Sequence, residues 1–328
     1  MKTCSGYKAV LLALVTGVIA SGVSCRTGRT NPHSPYDTEA DRQFIEAQYN
    51  KFLENWPGPY TSEMIPTSLG LTHVLINGPE DGIPVILFHG AMANALMWKD
   101  VVGALQETHR TIAVDIVGHF GQSIPTKSSI DDEELVLWVD EILDHMAVDQ
   151  VVVIGTSFGG WLAMRYSMVA SDRIRKLVLI ATAPSSPKFS FRFIAKSARM
   201  MARPTDENVE ALVAYMLAPG AQPEQGMVEF MRESLLRGSP IMPKPSGFRK
   251  GDLAVVTQPV LVLAGEYDRL FEPEKVEEIS KKHFSSVQVI TIGDAGHFLF
   301  YEQPKLVNEH ILRFLGQEEE EDDSQDLP

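Results

Sequence analysis

Short, continuously apolar runs rich in valine, isoleucine and leucine alternate with stretches of helical spacing along most of this 328-residue chain. Strands that are apolar throughout, rather than at every second position, are buried on both faces. A chain that alternates such strands with helices folds into a mostly parallel sheet covered by helices on both sides. The sequence therefore predicts an α/β fold, with strands at 72–76, 85–88, 111–117, 151–154, 176–182, 260–264 and 287–292.

The alternation is interrupted by residues 184–250. This segment is rich in proline, methionine and arginine, and it has helical patterns but no strand pattern. We expect a helical insertion within a core formed by residues 56–183 and 251–316. The 44% hydrophobic content of the chain is sufficient for a core of that size.

The first 25 residues have the pattern of an export signal, in which Lys2 and Lys8 precede an apolar stretch at 9–20. The stretch is shorter than the roughly 20 residues that a membrane-spanning helix needs, which disfavours an uncleaved anchor. Cys25 closes it and is a candidate lipidation site, although Gly22 stands where lipoprotein signals usually carry leucine. The sequence predicts an exported protein, either tethered to a membrane through Cys25 or cleaved and released.

Polar segments flank the predicted core. Residues 26–55 are expected to be a flexible linker as far as Asp41, followed by a helix at 43–53. Residues 317–328 carry seven acidic side chains in a run of like charges, which predicts a disordered tail. Removing those charges from the total of −14 leaves about −7, and an acidic body argues against binding to nucleic acids.

The strongest local motif is Gly155-Thr156-Ser157-Phe158-Gly159, a G-x-S-x-G pattern between an apolar run and a helical stretch. A sharp strand-to-helix turn of this kind exposes a strained serine at the end of a sheet. The N-terminus of the following helix directs amide dipoles to the place where negative charge develops in acyl transfer. Ser157 is therefore the candidate nucleophile.

A serine hydroxyl needs a histidine as base and a carboxylate that orients the histidine. With a turn of this type the order along the chain is serine, acid, histidine. His297 follows the run at 287–292 in a glycine-rich loop and is the candidate base. Asp268 follows the run at 260–264 and is the favoured acid, with Glu266, two residues nearer the strand, as the alternative.

Backbone amides are expected to stabilise the oxyanion. The amide of Phe158 directly follows the candidate nucleophile, and Ala91 lies in the loop after the run at 85–88. Asp115, within the next run, is interpreted as a structural residue, and His119, just after that run, as a loop residue. The histidines lack metal-ligand spacing and no phosphate-binding glycine loop stands out, so the sequence predicts no metal and no cofactor.

Together these features resemble the α/β-hydrolase family over roughly residues 56–316. The similarity is greatest to bacterial carboxylesterases of the naproxen-esterase type. The resemblance implies an α/β-hydrolase fold in which residues 184–250 cap the active site, and a small-molecule ester as substrate. It is carried by Trp56-Pro57-Gly58-Pro59-Tyr60, by Asp115-Ile116-Val117-Gly118 with Ser123-Ile124-Pro125, and by Gly296-His297 with Glu302-Gln303-Pro304.

Other functions stay open at this point. Carbon–carbon bond hydrolases of ring-cleavage products have the same fold and use the same three side chains. A non-catalytic lipoprotein binding module is a further alternative, although such proteins usually lose part of the triad. Dehalogenases and epoxide hydrolases normally have aspartate as the nucleophile, so Ser157 counts against them.

Overall fold

The computed structural model describes residues 33–243, 245–249 and 251–316. The predicted export signal with Cys25 and the acidic tail at 317–328 lie outside these residues. Among the described residues, no helix has the length and apolar character required to cross a membrane.

In the described part of the chain, one sheet contains nine strands. They are β1 (Tyr60–Thr67), β2 (Gly70–Asn77), β3 (Ile83–Phe88), β4 (His109–Val114), β5 (Ile124–Pro125), β6 (Val151–Thr156), β7 (Ile174–Ile180), β8 (Val260–Gly265) and β9 (Val287–Ile292). Their spatial order is β1-β2-β4-β3-β6-β7-β8-β9, with β5 beside β2. All pairs from β4 to β9 are parallel, whereas β2 is antiparallel to its neighbours β1, β4 and β5.

The α-helices of the described residues flank this sheet or lie within the insertion. They are α1 (Glu39–Leu53), α2 (Lys99–Leu105), α3 (Asp132–His145), α4 (Phe158–Val169), α5 (Phe191–Ala202), α6 (Asp206–Met216), α7 (Gln225–Arg237), α8 (Pro273–His283), α9 (Leu299–Glu302) and α10 (Pro304–Gly316).

The central strand β6 shows why the apolar runs are continuous. All six of its residues are buried. Val151 and Val153 belong to one hydrophobic core, and Val152 and Ile154 belong to the core on the other face of the sheet. Because successive side chains of a strand point to opposite faces, a strand covered on both sides needs an apolar residue at every position. The predicted mostly parallel, doubly covered sheet is confirmed.

The N-terminal segment differs from its prediction. A flexible linker was expected as far as Asp41, but Tyr36 is only 2% exposed and its hydroxyl donates to the carbonyl of Gly121 at 3.0 Å. Helix α1 begins at Glu39, where the Thr38 side chain caps it by accepting the amide of Asp41. Backbone hydrogen bonds also attach the segment, since the amide of Asp37 donates to the carbonyl of Arg237 at 2.8 Å and the amide of Ser239 donates to that of Pro35 at 2.7 Å. Contacts between distant parts of the chain cannot be read from a polar composition.

The insertion at 184–250 contains the three helices α5, α6 and α7. The described residues between α7 and residue 249 contain no helix. The amide of Ile241 donates to the carbonyl of Gly118 at 2.7 Å, and the indole of Trp161 donates to the carbonyl of Ser246 at 2.9 Å. These bonds attach the end of the insertion to the loop after β4 and to α4.

Candidate active site

Ser157 lies at the junction of β6 and α4 in a strained backbone conformation, with φ 50° and ψ −111°. Its amide donates to the carbonyl of Ile180 at 3.0 Å. A Cβ atom at Gly159 would lie 2.0 Å from the carbonyl oxygen of Phe88, and one at Gly155 would lie 2.3 Å from that of Gly159. Both glycines are therefore required by the close approach of backbone at this turn.

The structure brings the predicted base and acid to this serine. His297 Nε2 lies 3.1 Å from Ser157 Oγ, and His297 Nδ1 lies 2.8 Å from Asp268 Oδ2. Asp268 Oδ1 accepts the amides of Leu270 at 2.7 Å and Phe271 at 3.0 Å. The Asp268 side chain is fully buried and that of His297 is 6% exposed. This arrangement holds the imidazole with Nδ1 facing the carboxylate and Nε2 facing the hydroxyl.

The alternative acid points elsewhere. Glu266 is exposed, and its Oε2 accepts the amide of Asp294 at 3.0 Å. Asp294 itself has φ 52° and forms the turn after β9. Among the described residues, Asp268 rather than Glu266 is therefore the carboxylate in contact with His297.

Glu302 positions the histidine loop, a role that the sequence analysis did not assign to it. Its Oε2 accepts the amide of Gly296 at 2.8 Å, and its Oε1 accepts the amide of Ala218 at 2.6 Å. The amide of His297 donates to the carbonyl of Met216 at 2.7 Å. The loop that carries His297 is thus fixed to the end of α6, within the insertion.

The two predicted oxyanion donors flank the serine. Phe158 is the first residue of α4, and Gly90 brings the Ala91 loop so close that a Cβ built on it would lie 3.7 Å from Ser157 Cβ. In the described part of the chain, no acceptor is recorded for the amide of Ala91 or of Phe158. The next amide, that of Met92, is engaged by His119 Nδ1 at 3.2 Å.

Two buried histidines support this loop. His89 Nδ1 donates to the carbonyl of Gly90 at 2.8 Å, and its Nε2 accepts the amide of Ile116 at 2.9 Å. Burial lowers the pKa of His89 to about 4. Burial and the neighbouring His89 likewise hold the pKa of His119 well below its usual range. Both imidazoles are therefore neutral at pH 7.

Asp115 connects several elements around the loop, in line with its interpretation as structural. Its side chain is completely buried, with Oδ2 2.8 Å from His73 Nδ1 and 2.7 Å from the amide of Gln122. Oδ1 accepts the amide of Ala95 at 2.8 Å and the hydroxyl of Tyr49 at 3.3 Å. Burial alone would raise the pKa of Asp115, but the His73 imidazole and the two amides outweigh it and lower the pKa.

A second serine joins this network, which the sequence analysis did not foresee. Ser62 Oγ lies 2.9 Å from His73 Nε2. Ser62 belongs to β1 and His73 to β2, and the register places Ser62 opposite Leu75, so the pair is diagonal across the two strands. No group of three or more metal-ligating side chains occurs among the described residues.

The sequence model of the Alpha/beta hydrolase family matches residues 85–310. The chain is 27% identical over 277 residues to the uncharacterized carboxylesterase nap of Bacillus subtilis (strain 168), covering 82% of this chain and 91% of the relative. The crystal structure of naproxen esterase from Bacillus subtilis matches with a TM-score of 0.78 and 26% identity, over 85% of this chain and 99% of that one. A 2-hydroxy-6-oxo-6-phenylhexa-2,4-dienoate hydrolase from Rhodococcus sp. strain RHA1 matches with a TM-score of 0.64 and 20% identity, over 78% of this chain and 99% of that one. The predicted resemblance to carboxylesterases of the naproxen-esterase type is confirmed.

Proposed function

Since this chain belongs to the α/β-hydrolase family and is a hydrolase with carboxylesterase relatives, we propose that it cleaves carboxylic esters through an acyl-enzyme on Ser157. The observation that carries the proposal is the continuous relay from Ser157 Oγ through His297 to Asp268, with separations of 3.1 and 2.8 Å. The strained turn and the glycine contacts around it expose the serine at the end of the sheet.

In the first half-reaction Ser157 Oγ attacks the ester carbonyl while His297 Nε2 accepts the hydroxyl proton. The imidazolium that forms is stabilised by the buried carboxylate of Asp268. The carbonyl oxygen becomes an oxyanion, which the amides of Phe158 and Ala91 bind, because both amides lie beside the serine and have no acceptor among the described residues. His297 then gives its proton to the leaving alcohol.

In the second half-reaction water replaces the alcohol. His297 Nε2 takes a proton from the water, whose oxygen attacks the acyl carbonyl held in the same oxyanion hole. Collapse of the tetrahedral intermediate returns the proton to Ser157 and releases the carboxylic acid. The ester bond made to Ser157 is thereby broken again, and Ser157 and His297 return to their starting protonation states.

A direct test compares the wild type with Ser157→Ala on short p-nitrophenyl esters. We expect kcat to fall by at least about 10³-fold, with an unchanged melting temperature, because the variant retains only substrate binding and the oxyanion hole. Hydrolysis that persists in the folded variant would remove the proposal. A vinylogous 1,5-diketone assayed in parallel separates ester hydrolysis from carbon–carbon bond hydrolysis. The Rhodococcus hydrolase, at 20% identity, is evidence for the shared fold alone.

We further propose that the enzyme is exported and tethered through lipidated Cys25, as the pattern of the first 25 residues suggests. Expression of the full chain in a bacterial host with a labelled fatty acid tests this. The wild type should carry the label and sediment with membranes, whereas Cys25→Ser should lose both properties. An unlabelled wild type in the soluble fraction would favour the plain cleaved signal.

A further inference from the structure

The loop that carries the Ala91 amide has a conformation that needs an external support. Met92, the next residue, has φ 62°, in the left-handed region that residues other than glycine rarely adopt. Its amide donates to His119 Nδ1 at 3.2 Å. Because Met92 N is part of the Ala91–Met92 peptide, this bond fixes the orientation of the loop directly after the Ala91 amide.

His119 is held firmly on its other sides. Its side chain is 1% exposed, and its ring lies 4.9 Å from the ring of Phe158 and 5.2 Å from that of His89. The preceding residue, Gly118, is attached to the insertion through the amide of Ile241. The imidazole therefore contacts the residue after Ser157 and, through its Nδ1, the loop with the second oxyanion donor.

The partners of the ring settle which nitrogen carries the proton. An amide donates to Nδ1, so Nδ1 must present its lone pair and the proton lies on Nε2. Nε2 is buried and has no partner among the described residues. Burial and the neighbouring His89 keep the ring neutral, so the lone pair persists at neutral pH. The carbonyl of Gly90 acts in the opposite direction on the pKa of His119, but burial and His89 outweigh it, so Nδ1 continues to accept the amide of Met92.

We propose that His119 is a positioning residue for the reaction, whose Nδ1 holds the Ala91–Met92 peptide so that the Ala91 amide faces the oxyanion. The proposal rests on the proposed esterase function, in which that amide binds the transition state. It gives a role to a histidine that the sequence analysis interpreted only as part of a loop.

A residue that orients an oxyanion donor affects the transition state more than the ground state, because the donor bonds strongly only to the developing negative charge. Loss of the acceptor should therefore lower kcat and leave KM of a short ester nearly unchanged. A residue that merely fills space would instead alter stability, or KM and kcat together.

Two variants of matched shape isolate the acceptor. His119→Asn places an amide oxygen close to the position of Nδ1, and His119→Leu has a similar branched shape without an acceptor. With p-nitrophenyl butyrate we expect kcat to fall about 10- to 100-fold in His119→Leu, by analogy with the loss or displacement of one oxyanion donor. His119→Asn should recover most of that loss. The inhibition constant of a trifluoromethyl ketone, whose serine adduct carries the oxyanion, should rise in His119→Leu in parallel with the loss of kcat.

Equal kcat values for the Asn and Leu variants would overturn the proposal. If His119→Leu does not fold, His119→Phe replaces it, because phenylalanine keeps the ring contact with Phe158 and still lacks an acceptor. The proposed function fails separately, if wild-type hydrolysis is absent or does not depend on Ser157. A wild type that hydrolyses esters through Ser157, with Asn and Leu variants alike, counts only against the role of His119.

Discussion

Asp115 Oδ2 lies 2.8 Å from His73 Nδ1, the same separation as between Asp268 and His297. With Ser62 Oγ at 2.9 Å from His73 Nε2, the described residues contain a second Ser–His–Asp set with hydrogen bonds as short as those of the first. Distances within the triad therefore do not distinguish a catalytic set from a structural one in this fold.

The surroundings of the two serines do distinguish them. Ser157 has φ 50° and lies at the N-terminus of α4, next to Gly90. Ser62 lies within the regular ladder between β1 and β2, and no helix begins there. A serine without preorganised amide donors lacks stabilisation of the oxyanion, which usually makes the largest contribution to the catalysis of acyl transfer. We therefore interpret the second set as a structural link between β1, β2 and the loop after β4.

A fluorophosphonate probe tests this distinction. We expect it to label Ser157 alone, and peptide mapping by mass spectrometry should find no adduct at Ser62. Ser157→Ala should lose all labelling although the Ser62 set is intact, and the matched variant Ser62→Ala should label and hydrolyse esters like the wild type. An adduct at Ser62 in the Ser157→Ala protein would show that relay geometry is sufficient after all.

Asp115 should matter for stability far more than exposed carboxylates do. Asp115→Ala leaves the amides of Ala95 and Gln122 and the buried His73 ring without their acceptor, which should lower the free energy of unfolding by about 3 kcal/mol or more. Urea denaturation at pH 7.5 measures the loss. Asp81→Ala, at an exposed position, should change the same quantity by less than about 0.5 kcal/mol. A loss at Asp115 no larger than that control would contradict the assignment.

The core strands were predictable because each is a short apolar run buried on both faces, so β3, β6 and β8 lie within one or two residues of their predictions. Strand β1 was not predicted. It is an edge strand in which Ile65 is the one buried residue, so its sequence carries no continuous apolar run. Residues 95–106, which have helical spacing, divide into a 3₁₀ turn at Ala95–Trp98 and helix α2, with the Asn94 side chain capping the turn.

The proximity of Ser157, Asp268 and His297 could be anticipated because each follows a parallel strand and the carboxyl ends of such strands lie at one edge of the sheet. The choice between Asp268 and Glu266 needed the loop geometry that buries one side chain and exposes the other. The contact between Ser62 and His73 could not be predicted from the sequence, because it depends on the register of β1, a strand that was not predicted.

Acid should destabilise the protein well above the usual titration range of carboxylates. His89 has a pKa of about 4 in the folded state, because of burial, against an ordinary value of 6.5. Between pH 6.5 and pH 4 the His89 imidazole is protonated in the unfolded chain but not in the folded chain. The free energy of unfolding therefore keeps its full value above pH 6.5 and decreases as the pH falls towards 4. The contribution of His89 to that loss is about 3 kcal/mol.

Urea midpoints measured at pH 7.5 and pH 4.5 test the effect of His89. His89→Gln keeps an amide oxygen that can accept the amide of Ile116, and it cannot gain a proton in this range. The variant should therefore lose less stability between the two pH values than the wild type does. Equal losses in both proteins would exclude His89 as a source of the acid sensitivity.

Lys176 should stabilise α10, the last helix among the described residues, from within the core. Its ammonium group donates to the carbonyls of Phe314 at 2.7 Å and Leu315 at 3.1 Å, the C-terminal end of α10, although the residue is only 3% exposed. A cation at that end also interacts favourably with the helix dipole. Lys176→Met keeps the apolar stem and removes the donors, so the free energy of unfolding should fall by about 2 kcal/mol, measured by urea denaturation.

The matched control is Lys305→Met, at the exposed opposite end of α10. A cation is unfavourable at a helix N-terminus, so this variant should leave the free energy of unfolding unchanged or raise it slightly. Similar losses of stability in both variants would contradict this role, because they would mean that the buried contact of Lys176 with the end of α10 contributes nothing beyond the loss of any lysine.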